Sequence, residues 1–254
     1  MSGADLKNAN MMSANLVSAN LSGADLSGGN FHSVKAMRAD FKKANLSGAN
    51  FKKTDLTRAN FEGANLNSAN LMGAILTQAI LTGSDLIRIS LVEASLIEAD
   101  LSGADLTEAK LSGHYQREGY FSRGANLTKA KLSGAKMLRA DLVAAELNEA
   151  DCRGVDFSGA KLSEASLKQA CLASTCFVNA KLGDADFRGA DLTDSDFSGA
   201  ELIEAKFQGV DLRTVKNISS EELELSNIDD KTLVPDYIEV KWTSEDTYEC
   251  RQKV

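Results

Sequence analysis

A period of five residues decides what this chain can fold into. With the large apolar residue of each repeat taken as a centre, positions 6 to 111 give 22 centres, all Leu, Met or Phe except Ala36. Positions 127 to 212 give 18 more, broken only by Cys152. Two residues before each centre the chain is nearly always Ala, and the exceptions (Gly29, Val34, Thr54, Ser84, Ile89, Val155, Thr175, Ser195, Val210) are small or β-branched. A fixed period of this kind takes precedence over any local propensity. An α-helix would carry successive centres about 140° apart, so the apolar set would spiral around the axis and never form one face. A plain strand also fails, because an odd period sends alternate centres to opposite faces. The pattern is satisfied when the chain turns a corner every five residues, with centre and small residue both pointing inward.

Ala4-Asp5-Leu6 recurs as Ala14-Asn15-Leu16, Ala24-Asp25-Leu26, Ala44-Asn45-Leu46, Ala64-Asn65-Leu66 and Ala104-Asp105-Leu106. The motif of Ala, then Asp or Asn, then Leu or Phe, then two polar residues resembles the pentapeptide-repeat family, over residues 4 to 212 apart from one interruption. The resemblance implies an all-β fold, a right-handed four-sided parallel β-helix with four repeats per turn. Its 22 and 18 centres make 40, hence about ten turns. At the strand spacing of roughly 4.8 Å the rod is about 50 Å long. The residues agree with a 20-residue turn, since Phe31 and Phe51, Phe41 and Phe61, Phe157, Phe177 and Phe197, and Phe187 and Phe207 all recur at that interval and are expected to stack. Glycines such as Gly23, Gly48, Gly63 and Gly103 ease the corners. Asp or Asn before the centre can bond to nearby backbone in a turn.

The register shifts between Leu111 and Leu127, a gap of 16 where 15 would keep phase. Residues 114–124 read either as two degenerate repeats centred at Gln116 and Phe121 plus one extra residue, or as a loop leaving the solenoid. Tyr115, Arg117, Tyr120 and Arg123 give the segment a composition favoured in protein contacts, against the alternative of a kink between two stacked half-solenoids. After Leu212 the repeat ends. Ser219 followed by Glu222 fits a capping box opening a short helix, and Ile238 to Trp242 alternates like a strand. The expected organisation is a first solenoid segment over 1–113, the interruption at 114–124, a second segment over 125–217, and a C-terminal helix-and-strand cap over 218–254. The repeat begins at Ala4 with no room for a cap, which predicts end-to-end association through that solenoid end, as in a homodimer, or a partner there.

The chemistry-bearing residues are sparse. His32 and His114 are the only histidines, far apart, and no nucleophile motif, phosphate loop or metal-spaced cluster accompanies them. Cys171 and Cys176 occupy sites usually held by Asp or Asn, and Cys152 replaces a core Leu. A leucine- and phenylalanine-filled interior leaves no substrate cavity, so no enzyme, cofactor or metal is expected. The four cysteines form no CxxC pair or disulfide framework, and no basic-then-apolar leader or bilayer-length apolar run is present, which points to a cytoplasmic protein away from membranes.

A formal net charge of -8 argues against direct binding of nucleic-acid phosphates and favours a basic protein partner. Acidity grows along the chain, from 10 Lys+Arg against 11 Asp+Glu in residues 1–113 to 10 against 14 in 125–212. Glu164, Asp184 and Glu204 recur every 20 residues at outward sites and are expected to stack on adjacent turns, where like charges destabilise unless a partner answers them; the alternative is a solvated, screened row. The expected function is a non-enzymatic scaffold or adaptor. The resemblance implies a second reading, because one branch of the family mimics B-DNA and binds DNA gyrase or topoisomerase IV in quinolone resistance.

Overall fold

The computed structural model describes residues 1–113, 123–244 and 247–253. The repeat region is a right-handed, four-sided parallel β-helix. Each repeat places one residue in the inter-turn ladder, as in the parallel bridges Asp5 to Asp25, Asp25 to Asn45, Asn45 to Asn65 and Asn65 to Asp85. Sides I to IV are named here for their first centres, Leu6, Met11, Leu16 and Leu21. Leu46, Leu66 and Leu86 all fall on side I and are fully buried.

Each corner is a four-residue turn closed by the small residue's N–H onto the preceding centre's carbonyl, as in Ala24 N to Leu21 O at 3.1 Å. The second turn residue is left-handed, with φ of +63° at Gly23 and +62° at Gly63, the conformation glycine adopts without a Cβ penalty. Many corners hold that conformation without glycine, among them Arg58 at +59° and Glu164 at +60°. Aspartate and asparagine before the centre brace the turn, their Oδ1 accepting from the backbone N–H two residues on, as from Ser158 to Asp156 at 2.9 Å. The small inward site excludes bulk because backbone crowds it. Where it carries a hydroxyl, the group bonds a carbonyl: Thr54 Oγ1 donates to Phe31 O at 2.7 Å, and Thr175 Oγ1 to Cys152 O at 2.9 Å.

The phenylalanine columns form as the spacing requires. Phe31 stacks on Phe51 at 4.6 Å and Phe41 on Phe61 at 4.9 Å, both pairs nearly parallel. Phe177 lies between Phe157 and Phe197 at 5.4 and 4.9 Å, and Phe187 stacks on Phe207 at 5.0 Å. Columns on opposite sides meet edge to face, as Phe177 does with Phe187 at 87°.

The ladder crosses the break in period without losing a side. Ser95 bridges Asn126, Asp100 bridges Lys131 and Lys110 bridges Asp141, each 31 residues apart instead of the 20 found between other repeats. Leu111 is therefore followed directly by Leu127 as the next inward centre. Ala125 N–H donates to Leu111 O at 2.7 Å, the bond that closes an ordinary corner. Thirteen residues, 112 to 124, separate that bonded pair where two usually suffice, and the centres read at Gln116 and Phe121 lie outside the described residues.

The cap begins with α1 (Ser220–Glu224), whose N-cap Ser219 and Glu222 form the reciprocal capping box. An antiparallel hairpin follows, β1 (Ile238–Trp242) with β2 (Tyr248–Gln252). Leu223, Ile238 and Cys250 are buried beneath it. The last turn's donors are answered by the cap: Glu204 N–H to Leu225 O, Phe207 N–H to Asn227 O and Leu212 N–H to Leu233 O, at 2.7 to 2.8 Å.

Candidate protein-binding corner

The ladder places the interruption and the acidic row together. Side III runs through the bridges Ser95 to Asn126, Asn126 to Glu146, Glu146 to Ser166, Ser166 to Asp186 and Asp186 to Lys206. Glu164, Asp184 and Glu204 each stand two residues before a member of that series, at the corner where side II turns into side III. The described residues that flank the interruption, Gly113 and Gly124, stand at the same corner, two turns N-terminal to Glu164, or roughly 10 Å along the axis. One chain of bonds links them: Gly113 N–H to Val143 O, Ala144 to Ser163, Glu164 to Gly183, Asp184 to Ile203 and Glu204 to Leu225. Arg123 is exposed at the foot of the interruption, beside Glu93 and Glu146 in a shallow cleft. Tyr115, Arg117 and Tyr120 lie outside the described residues.

The row itself is exposed and left-handed, with φ of +60°, +59° and +59° at Glu164, Asp184 and Glu204. Among the described residues neither Glu164 nor Asp184 has an ion-pair partner, whereas Glu204 accepts from Asn227 Nδ2 at 2.9 Å. Behind the row lies Asp186, only 7% exposed. Burial would raise its carboxyl, but Arg188, at 2.7 and 2.9 Å, and Lys168, at 3.2 Å, outweigh that and pull it down to about 2. Arg188 and Lys168 are thus committed to the buried carboxylate, and neither Glu164 nor Asp184 draws an ion pair from them.

Sequence reasoning identified the row and the interruption but not their common corner. Counting from Leu111 to Leu127 gives 16, which suits either reading; the usable signal was Ala125, a small residue that completes the repeat after Leu111 once 11 residues are skipped. It also passed over Asp186, one acid among many in the chain. Elsewhere the residues singled out are dispersed. His32 is half-buried, Cys171 is exposed, and the half-buried Cys176 thiol lies 3.2 Å from Ser158 Oγ. Cys152 is fully buried, and that burial pushes its thiol far above the ordinary range. Arg88 and Glu108 approach to 4.0 Å across one turn. Among the described residues no group of three or more His, Cys, Asp or Glu gathers to hold a metal, and no helix is long and apolar enough to cross a membrane.

The family model for pentapeptide repeats matches in eight copies over residues 1–33, 39–78, 74–113, 125–163, 145–184 and 180–216. Among solved structures the chain is similar to HetL, a pentapeptide repeat protein involved in heterocyst differentiation regulation from the cyanobacterium Nostoc sp. strain PCC 7120, at 30% identity over 80% of this chain and 89% of HetL, with a TM-score of 0.51. It is also similar to full-length QnrB1, a plasmid-mediated fluoroquinolone resistance protein, at 20% identity over 90% of each chain and a TM-score of 0.33. A pentapeptide repeat protein from the Arabidopsis thaliana thylakoid lumen is 31% identical over 48% of this chain and 70% of its own, with a TM-score of 0.23. No curated protein matches the chain. Repeat, ladder and family model converge: this chain belongs to the pentapeptide-repeat family.

Proposed function

We propose that this protein is a non-enzymatic scaffold or adaptor whose partner docks along the corner between sides II and III. The observation that carries the reading is the placement of the interruption and the Glu164, Asp184, Glu204 row on one corner of a rigid coil. Left-handed corner sites favour glycine, which the diagonally opposite corner uses at Gly23, Gly63, Gly83, Gly103, Gly134 and Gly154, though not at Lys43, Ser174 or Asp194, and which the acidic corner uses at Gly73. Keeping Glu and Asp instead costs backbone strain and like-charge repulsion, both of which a basic partner offsets in part. The likeness to HetL, a protein involved in regulation, is in keeping with a binding role.

The test is charge reversal of the row. A chain carrying Glu164→Lys, Asp184→Lys and Glu204→Lys should keep its melting temperature and lose partners that co-purify from native cells. The control, Ser174→Lys with Asp194→Lys on the diagonal corner, should retain them. Equal recovery by both variants would remove the corner from consideration.

The acidic DNA-mimic reading has its own motivation, since the same row lies on a rod of the width of one coil. Gyrase supercoiling, assayed with and without a quinolone, separates the two. Protection by the purified chain favours mimicry, and an unchanged reaction leaves the adaptor reading alone.

A further inference from the structure

Where the last coil meets its cap there is a cleft of about 590 Å³, lined by Gln208, Asn227, Ile228, Asp229, Asp230 and Trp242. It lies on side III beyond the acidic row and played no part in the reading above. Gln208 Oε1 is buried there without a hydrogen-bond partner, the only such side-chain atom among the described residues. An unanswered buried acceptor is costly, and a native structure that keeps one has a use for it.

Two donors at the cleft, Asn227 Nδ2 and Gly209 N–H, are already committed. Asn227 Nδ2 donates to Glu204 O and Oε2, at 3.1 and 2.9 Å, and Gly209 N–H to Asp229 Oδ1 at 2.8 Å. Burial pushes the Asp229 carboxyl up, but hydrogen bonds from Gly209, Thr232 and Lys231 outweigh it and keep the group ionised. Asp230 is exposed and has no ion-pair partner among the described residues. Trp242 is 38% exposed and is held edge-on by the Tyr248 ring at 5.1 Å, while the Tyr248 hydroxyl bonds Ser226 O and Leu223 O. Buried Ile228 supplies an apolar surface.

What the cleft offers a ligand is the unanswered Gln208 Oε1, two negative charges and one fixed indole. A carboxylate or phosphate would be repelled by Asp229 and Asp230. A planar cation that only donates satisfies every feature: its face lies on the indole while its N–H groups reach Gln208 Oε1 and a carboxylate. We propose that this cleft is a guanidinium site, built to receive an arginine side chain of a protein partner. It does not depend on the II–III corner being a docking face.

Trp242 is the only tryptophan, so its fluorescence reports on the cleft directly. Three capped tripeptides serve as probes, with arginine, lysine or the neutral isostere citrulline at the centre. The arginine peptide should quench Trp242 saturably, the lysine peptide should bind several-fold more weakly, and citrulline should produce no saturable change. Gln208→Ala and Asp230→Asn should each weaken the arginine peptide about tenfold, as expected when one charge-assisted bond is lost. Gln208→Ala should do so without lowering the melting temperature, because the amide oxygen has no partner in the free protein. Absence of saturable quenching, citrulline or lysine binding as tightly as arginine, or unchanged affinity in both variants would overturn the assignment.

Discussion

Asp186 and its neighbours show how single residues divide the work between folding and recognition. Its folded pKa of about 2 lies below the ordinary 3.8, so the stability it contributes is present above the unfolded value and lost as pH falls from about 4 toward 2. That loss is worth about 2 kcal/mol, and it should appear as a difference in urea unfolding between wild type and Asp186→Asn that narrows across this pH window. Glu164, in contrast, holds a left-handed backbone and a like charge one turn away, with no ion pair among the described residues. Glu164→Gly should raise stability by about 1 kcal/mol, the relieved strain exceeding the added unfolded-state entropy. Gly124 is constrained in the other direction, because a Cβ there would fall 2.5 Å from Ala144 O. Gly124→Ala should therefore cost about 2 kcal/mol in a denaturant titration. The repeat displayed the inward residues plainly, since each is set by one-dimensional spacing. Asp186 was not legible, because its burial depends on Lys168 and Arg188 folding over it from neighbouring positions.

The individual turn is too small to bury its own interior, so the elements of this fold are stabilised as columns. Phe177 touches rings above, below and across the coil. Phe177→Ala should cost about 4 kcal/mol, more than the same change in a residue with a single ring neighbour, measured by chemical unfolding. Such columns were visible in the sequence because identical residues recur at the turn length. The cap was visible only where local chemistry is self-sufficient. Ser219 and Glu222 announce α1, and β1 alternates, but Tyr248-Glu249-Cys250-Arg251-Gln252 buries only Cys250 fully and gives no clear period. Strand β2 is specified by pairing with β1, a long-range contact that a single segment does not encode.

At the scale of the whole molecule the coil acts as a ruler, converting sequence intervals into positions on a rod. The square section and its turn length followed from spacing, whereas the shared corner of row and interruption required the ladder, since a 16-residue gap fits two registers. The bond from Ala125 to Leu111 and the 31-residue bridges join side II to side III directly across the break. Thermal unfolding of a chain in which Gly113 is joined directly to Ala125 tests this account most directly. With a complete ladder on both sides of the join, the melting temperature should stay within about 3 °C of wild type, equivalent to roughly 1 kcal/mol in a chain of this size. A fall of 10 °C or more, with loss of the β-sheet circular dichroism signal, would mean that the deleted residues supply sides of the coil and would contradict the register on which the proposed corner depends.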